Sequence, residues 1–350
     1  MYKPRVRLNR NKSAAFLVIL GAWIILHASA AFARTESETT NDYKNIGLGQ
    51  FSIRTHSLQT MLRPGQVPTS LYYIDPGDVN ITAGIGYANV WNYTAEKFKV
   101  DGEWGNIDIR MAYALTERYE VGLNLPFSTR QGGFLDSSIE SFHDTFGFKN
   151  KGRDKEPKDR ASIEFYDDEG NTTFKTQGNS TGINDIPIFL VWHASKGTET
   201  KPAVIVKPYV TIPVGNEDEL EGTGDPVYGI SIMLAKRLGK SSHHMYAEAE
   251  YSYSNNDSWD GFDMNKSIFG GSLIWEFRWS SRTSLIAQYN VVSGIAKDYD
   301  EWTQEAHHIN VGVKRKISEN TYAEISLQEN LFHYNTSSDV GINAAIGTRL

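Results

Sequence analysis

The chain has no cysteine among its 350 residues, which excludes disulfides and thiolate metal sites. It also lacks a basic patch with interleaved aromatics, the usual footprint of a nucleic-acid partner. Its densest cationic stretch, Lys3, Arg5, Arg7, Arg10 and Lys12, stands ahead of the apolar run Ala14 to Leu26. That arrangement is an export signal over residues 1–33, with small-residue cleavage sites after Ala30 and Ala33. Without its five cations, the formal charge of residues 34–350 goes from −7 to −12. Past residue 33 no apolar run approaches the roughly 20 residues a spanning helix needs, so any membrane crossing is made by strands. No Gly-x-Ser-x-Gly, His-Glu-x-x-His or calcium-loop pattern occurs. His243-His244 and His307-His308 are adjacent pairs, which a strand points to opposite faces. The sequence therefore implies no metal and no cofactor.

What the chain does have is alternation. Val79, Ile81, Ala83, Ile85 and Tyr87 take one side of a strand, and Asn80, Thr82, Gly84 and Gly86 the other. The same period recurs in segments 79–92, 102–115, 118–127, 183–194, 202–214, 226–238, 244–254, 267–279, 283–294, 306–317, 320–333 and 338–350. Single strands of a soluble sandwich alternate in the same way. The length of these segments, the strict alternation of short and long connections, and the aromatics at strand ends favour a membrane barrel. We read residues 79–350 as an all-β, transmembrane, antiparallel up-and-down β-barrel of 12 strands, with lipid outside and water inside. Short turns such as Thr116-Glu117 and Ser318-Glu319 fall at the periplasmic end. The longer gaps, above all 128–182, fall outside the cell. Charge follows the same division. Glu217, Asp218, Glu219, Glu221 and Asp225 crowd one outer loop, whereas Lys236, Arg237, Arg278, Arg282, Lys314 and Arg315 gather at the inner ends.

This places a monomer in the outer membrane of a Gram-negative bacterium, exported through the periplasm. Its expected partners are the lipid bilayer, lipopolysaccharide (bridged to the acidic loops by divalent ions) and the barrel assembly machinery. The last strand ends in Leu350 where most such barrels end in Phe. Residues 34–78 form a periplasmic N-terminal segment. Arg34 to Lys44 is polar enough for disorder, and Ile46 to Arg63 either plugs the lumen or lies against the periplasmic rim. By register Asp108, Arg110, Glu120, Lys207, Glu248, Glu250, Glu324 and Arg349 face the lumen with both signs of charge, and no ring of one sign dominates.

The second outer loop, residues 128–182, is too long for a passive connection. Ser137 with Glu140 three residues on forms a capping box, and Gly147 stops the helix it begins. On that helix Ile139, Phe142, His143 and Phe146 share the apolar face. Arg153 is the expected anchor for Asp136 or Glu140. A hairpin follows, 161–167 with 172–177. The run Gly133-Phe134-Leu135-Asp136, Ile139, Phe142-His143, Phe146-Gly147, Asn150, Gly152-Arg153 resembles a Gram-negative outer-membrane family, the domain of unknown function number 3187. Asn89-Val90-Trp91-Asn92, Asp101-Gly102-Glu103 and Leu125-Pro126-Phe127 match that pattern too, whereas Asn184 departs from the glycine usual before Asp185. The resemblance implies a fold and a location but no activity.

Three function classes follow. The first is a narrow channel for passive passage of small polar solutes, gated by the second loop. The second is a lipid-acting hydrolase built on His143 with Asp144 and Ser141, weakened because His143 and Asp144 project about 100° apart on a helix. The third is a closed structural or adhesion barrel.

Overall fold

The structure is a computed structural model. It describes residues 47–63, 68, 75–95, 97–137, 140–141, 145, 153, 156–167, 169–239, 241–297, 299–332 and 336–350. The barrel wall is made of twelve antiparallel strands. They are β1 (Val79–Thr94), β2 (Phe98–Thr116), β3 (Tyr119–Gln131), β7 (Ile186–Ser195), β8 (Ala203–Ile212), β9 (Val227–Arg237), β10 (His243–Ser254), β13 (Ser267–Arg278), β14 (Thr283–Val292), β15 (Ala306–Lys316), β16 (Thr321–Leu331) and β17 (Val340–Arg349). Each pairs with its neighbour in chain order, and β1 pairs with β17, from Asn80↔Arg349 to Asn89↔Val340. That seam closes the sheet and leaves no free edge in the wall.

Alternation in sequence becomes alternation in burial. In β16 the pattern along the strand is half-buried, buried, half-buried, buried, then strictly exposed and buried in turn to Asn330. Outside, Ile85, Leu273, Val311 and Leu327 are each more than half exposed, as are Phe269, Ile325 and Ile346. Fully wetted, so large an apolar band would be strongly unfavourable. Facing hydrocarbon it is the stable arrangement. Among the described residues no helix is long and apolar enough to cross a membrane. Tyr119 stacks on Trp192 at 6.4 Å near the end with the short turns, and Tyr251 packs on Phe269 at 5.3 Å near the end with the long loops.

The five remaining strands decorate the loop end. β4 (Ser162–Tyr166) and β5 (Thr172–Gln177) form the hairpin of the second loop, and β4 adds to β2 through Phe98↔Phe165 to Asp101↔Ser162. β2 begins four residues earlier than its own alternation suggests, because Phe98 to Asp101 pair with Thr94 to Trp91 of β1 on one side and with β4 on the other. β6 (Ser180–Ile183) pairs with β3, and β11 (Ser258–Trp259) with β12 (Phe262–Asp263) makes a small separate ribbon.

These pieces converge on one aromatic cluster. Phe165 meets Trp302 edge-on at 4.5 Å, and Phe174, Trp259, Phe262 and Tyr299 complete the group. Met61 and Leu62 join it from a short helix, α1 (Leu58–Leu62). Many aromatics expected at the membrane interfaces therefore form a cap over the loop end. The lumen is not uniformly polar either. Phe189, Val191, Ile205, Met233, Ile274 and Ile286 form a buried apolar patch on its wall, covered by Phe51 and Ile53.

Candidate functional site

The lumen is the feature that brings the most chemistry together. Residues 47–63 lie within it, rising from the turn end to the loop end. At the bottom the Glu276 carboxylate, fully buried, accepts the backbone N–H of Leu48 at 2.9 Å and of Gly49 at 3.1 Å. Ser284 Oγ donates to the same carboxylate at 2.5 Å, and the Tyr246 hydroxyl also donates to it. Gly47 and Gly49 have φ of 65° and 76°, a left-handed conformation in which consecutive N–H groups turn toward one acceptor. Higher up, Lys314 Nζ donates to the Gln50 carbonyl at 2.7 Å, Phe51 N–H to Gln288 Oε1 at 2.9 Å and Ser52 N–H to Glu324 Oε1 at 2.5 Å.

From Phe51 to Arg54 the segment is extended, so its side chains alternate. Phe51 and Ile53 enter the apolar patch. Ser52 and Arg54 face polar wall, where Ser52 Oγ lies 3.0 Å from the Tyr322 hydroxyl and Arg54 Nε 3.4 Å from Asp108 Oδ2. Arg54 also donates to the Phe127 carbonyl at 3.1 Å, and its own carbonyl accepts from Asn106 Nδ2 at 3.2 Å. At the loop end Ser57 bridges to Ser337 and caps α1, where its Oγ accepts the Thr60 N–H at 3.1 Å. Arg63 then donates to the carbonyls of Lys266 and Asn256. Below, Arg110 donates to the Pro68 carbonyl, and Gly77 N–H bonds the Ala114 carbonyl at the turn end. The chain thus returns to the end from which it rose before β1 begins.

Each wall residue singled out from the sequence has a definite place. Arg110, Glu120, Lys207, Glu250 and Glu324 are buried on the inner face, and Asp108, Glu248 and Arg349 are half-buried. Lys314 pairs with Glu324 at 3.0 Å, Lys207 with Glu248 at 3.7 Å, and His193 Nε2 lies 2.6 Å from Glu120. The Tyr209 hydroxyl donates to Glu250 Oε1 at 2.5 Å, and Arg349 sits 3.8 Å from Asp78 at the rim. Register alone did not find the two groups that hold the segment most directly, Glu276 and Gln288, to be different in kind from their neighbours.

Carboxylates hold the loops by the same device. Glu103 accepts the Tyr87 hydroxyl and the N–H groups of Phe134 and Leu135, at the start of the second loop. Asp136 takes Arg153 at 2.6 Å and Asp159 N–H at 2.9 Å, and Arg153 lies 3.8 Å from Asp339. Glu140 pairs with Lys158 instead. Ser137 is itself helical, so it does not cap from outside the helix; its hydroxyl lies 3.5 Å from Lys158 Nζ. Ser141 is helical and exposed, whereas His143 and Asp144 lie outside the described residues. Asp185 accepts Gly215 N–H at 3.0 Å and Thr223 N–H at 3.2 Å, and burial pushes its carboxyl up to about 6 against those hydrogen bonds. Asn184, in place of the expected glycine, donates its own N–H to the Pro126 carbonyl at 2.8 Å. Among the described residues no cluster of three or more His, Asp or Glu is arranged to hold a metal.

A model of proteins of unknown function, DUF3187, matches residues 30–349. No curated protein matches the chain in sequence. Among solved structures, the translocator domain of the autotransporter NalP from Neisseria meningitidis is similar at 9% identity and a TM-score of 0.39, covering 99% of this chain and 100% of that one. A TodX mutant described as a monoaromatic hydrocarbon channel is similar at 9% identity and 0.38, covering 88% and 97%. The KdgM porin is similar at 5% identity and 0.39, covering 77% and 98%.

Proposed function

We propose that this chain, which belongs to the DUF3187 family of proteins of unknown function, is an outer-membrane channel held shut by its own N-terminal segment. The observation that carries this reading is how residues 47–63 are attached. Leu48, Gly49, Phe51 and Ser52 are held through backbone N–H groups on wall side chains, while Phe51 and Ile53 bury on the lumen patch and Met61 and Leu62 in the cap. Water or a solute can replace such donors one for one, which a packed apolar core does not allow. A barrel serving only as a scaffold needs no lumen lined with Lys314, Glu324, Lys207 and Glu248, whose burial opposes folding. The passage so closed suits small polar solutes. The segment and the aromatic cap close it together, and the second loop contributes through β4 and β5.

The absence of cysteine makes a clean test available. Ser57 and Ser337 are bridge partners across the segment and the last outer loop, within reach of a disulfide. The Ser57→Cys/Ser337→Cys variant should be silent in planar bilayers when oxidised and should show openings after reduction. Deleting 47–63 should raise conductance further. A deletion variant that folds as a barrel yet conducts nothing would overturn the reading in favour of a closed structural barrel.

A further inference from the structure

The segment that fills the lumen has a chemistry of its own, and the wall is complementary to it. Ile53 and Phe51 lie in the apolar patch while the Arg54 guanidinium, next in the chain, lies on Asp108. The fit is close. The cavity left beside Ser52, Ile53, Arg54, Asp108 and Arg110 is ≈ 20 Å³, room for about one water.

The charges of the wall explain why a cation sits there. Between the two rims, leaving aside the His193–Glu120 pair, the described inner face carries five carboxylates, Asp108, Glu248, Glu250, Glu276 and Glu324. Against them stand Arg110, Lys207 and Lys314, with Arg237 level with Glu276 at the turn end. Lys207 and Lys314 are engaged with Glu248 and Glu324. Asp108 accepts from Asn124 Nδ2 of the wall at 2.8 Å, and Glu276 from Ser284 and Tyr246; the segment adds the guanidinium of Arg54 to the first and the N–H groups of Leu48 and Gly49 to the second. Without the segment Asp108 keeps a neutral wall donor but loses its guanidinium, so a replacement that carries positive charge is favoured there over a neutral one.

We propose that the lumen binds amphipathic organic cations, with an amidinium- or guanidinium-like head on Asp108 and an apolar body on the patch of Phe189, Val191 and Ile205, and that Phe51 to Arg54 occupies this site as an internal surrogate. The proposal rests on the channel reading for its biological sense, but the site itself is a property of the wall.

Benzamidine is a suitable probe, since it joins a planar cation to a phenyl ring. Calorimetry on the detergent-solubilised full-length Phe51→Ala/Ile53→Ala/Arg54→Ala variant, which uncovers the patch as well as Asp108, should show benzamidine binding about tenfold tighter than to the wild type, whose own three side chains hold the site. Adding Asp108→Asn should abolish that gain. Guanidinium alone should bind more weakly than benzamidine, and benzoate, with the same ring and the opposite charge, should not bind. In bilayers, benzamidine should block the current of the variant lacking 47–63 where benzoate does not. Equal affinity for benzoate, or indifference to Asp108→Asn, would overturn the proposal. If benzamidine binds the triple variant as expected while the deletion variant passes no current, the site stands and the channel reading falls. If the deletion variant conducts and benzamidine neither binds nor blocks it, the channel reading stands and the site falls.

Discussion

At the scale of the residue, this molecule is organised by carboxylates that hold backbone. Glu276, Glu103 and Asp185 each gather N–H groups from a segment remote in sequence, and glycines supply the conformations that let those groups converge. Gly47 is the most constrained. It has a left-handed φ, and a Cβ there would run into the Glu276 carboxylate and the Tyr246 hydroxyl. Gly47→Ala should destabilise the attachment by roughly 1–3 kcal/mol while leaving the barrel intact. Faster tryptic cleavage after Arg54, with unchanged gel migration, would be the signature.

Asp185 makes a pH prediction. Its carboxyl is raised from 3.8 to about 6 by burial, with Glu217 adding repulsion and the N–H groups of Gly215, Thr223 and Val214 opposing. A raised acid binds its proton more tightly when folded, so its contribution is complete below about 3.8 and is lost as pH climbs through about 6. Hydrogen-exchange protection of residues 215–225, corrected for intrinsic rates, should fall roughly tenfold between pH 4.5 and pH 7.5. Asp185→Asn should flatten that profile.

At the scale of the element, the sequence was most informative about the wall. Periodicity displays which residues share a face, and the ends of most strands fell within two residues of where alternation stops. The exceptions have a common cause. β2 extends to Phe98 between β1 and β4, and a pairing with a distant segment such as β4 leaves no mark on either one's period. The course of Ile46 to Arg63 was ambiguous for the same reason, since backbone donors to Glu276 and Gln288 have no side-chain signature. One further signal does lie in the sequence. Ile186 to Trp192 and Ala203 to Val206 are apolar on consecutive positions, the mark of strands covered on both faces, and they carry the patch that Phe51 and Ile53 cover. The cap makes its own prediction. Phe165 touches the rings of Phe98, Phe174, Trp259, Phe262, Tyr299 and Trp302, so Phe165→Ala should cost about 3–5 kcal/mol locally. Exchange protection should collapse in β4, β5, β11 and β12 and persist in the wall strands.

At the scale of the whole molecule, a closed wall with an apolar exterior behaves differently from a globule. The protein should migrate faster in gels before boiling than after, and show β-rich circular dichroism only in detergent or lipid. A monomer that stays soluble without either would contradict the apolar band as a lipid-facing surface.

The seam between β1 and β17 sets the order in which such a molecule can be made. Leu350 N–H bonds the Val79 carbonyl and Val79 N–H the Leu350 carbonyl, so the last bonds to form join nearly the two most distant parts of the wall. Closing so long a loop carries a large entropic barrier and places sealing late. Residues 47–63 lie upstream of that seam and inside it, their far end built into a cap drawn from several separate stretches of chain. They can be laid against a sheet that is still open far more readily than threaded into one already sealed. Assembly is then a wrapping: the sheet grows around its own leading segment, and the contents of the barrel are in place before there is a barrel to contain them.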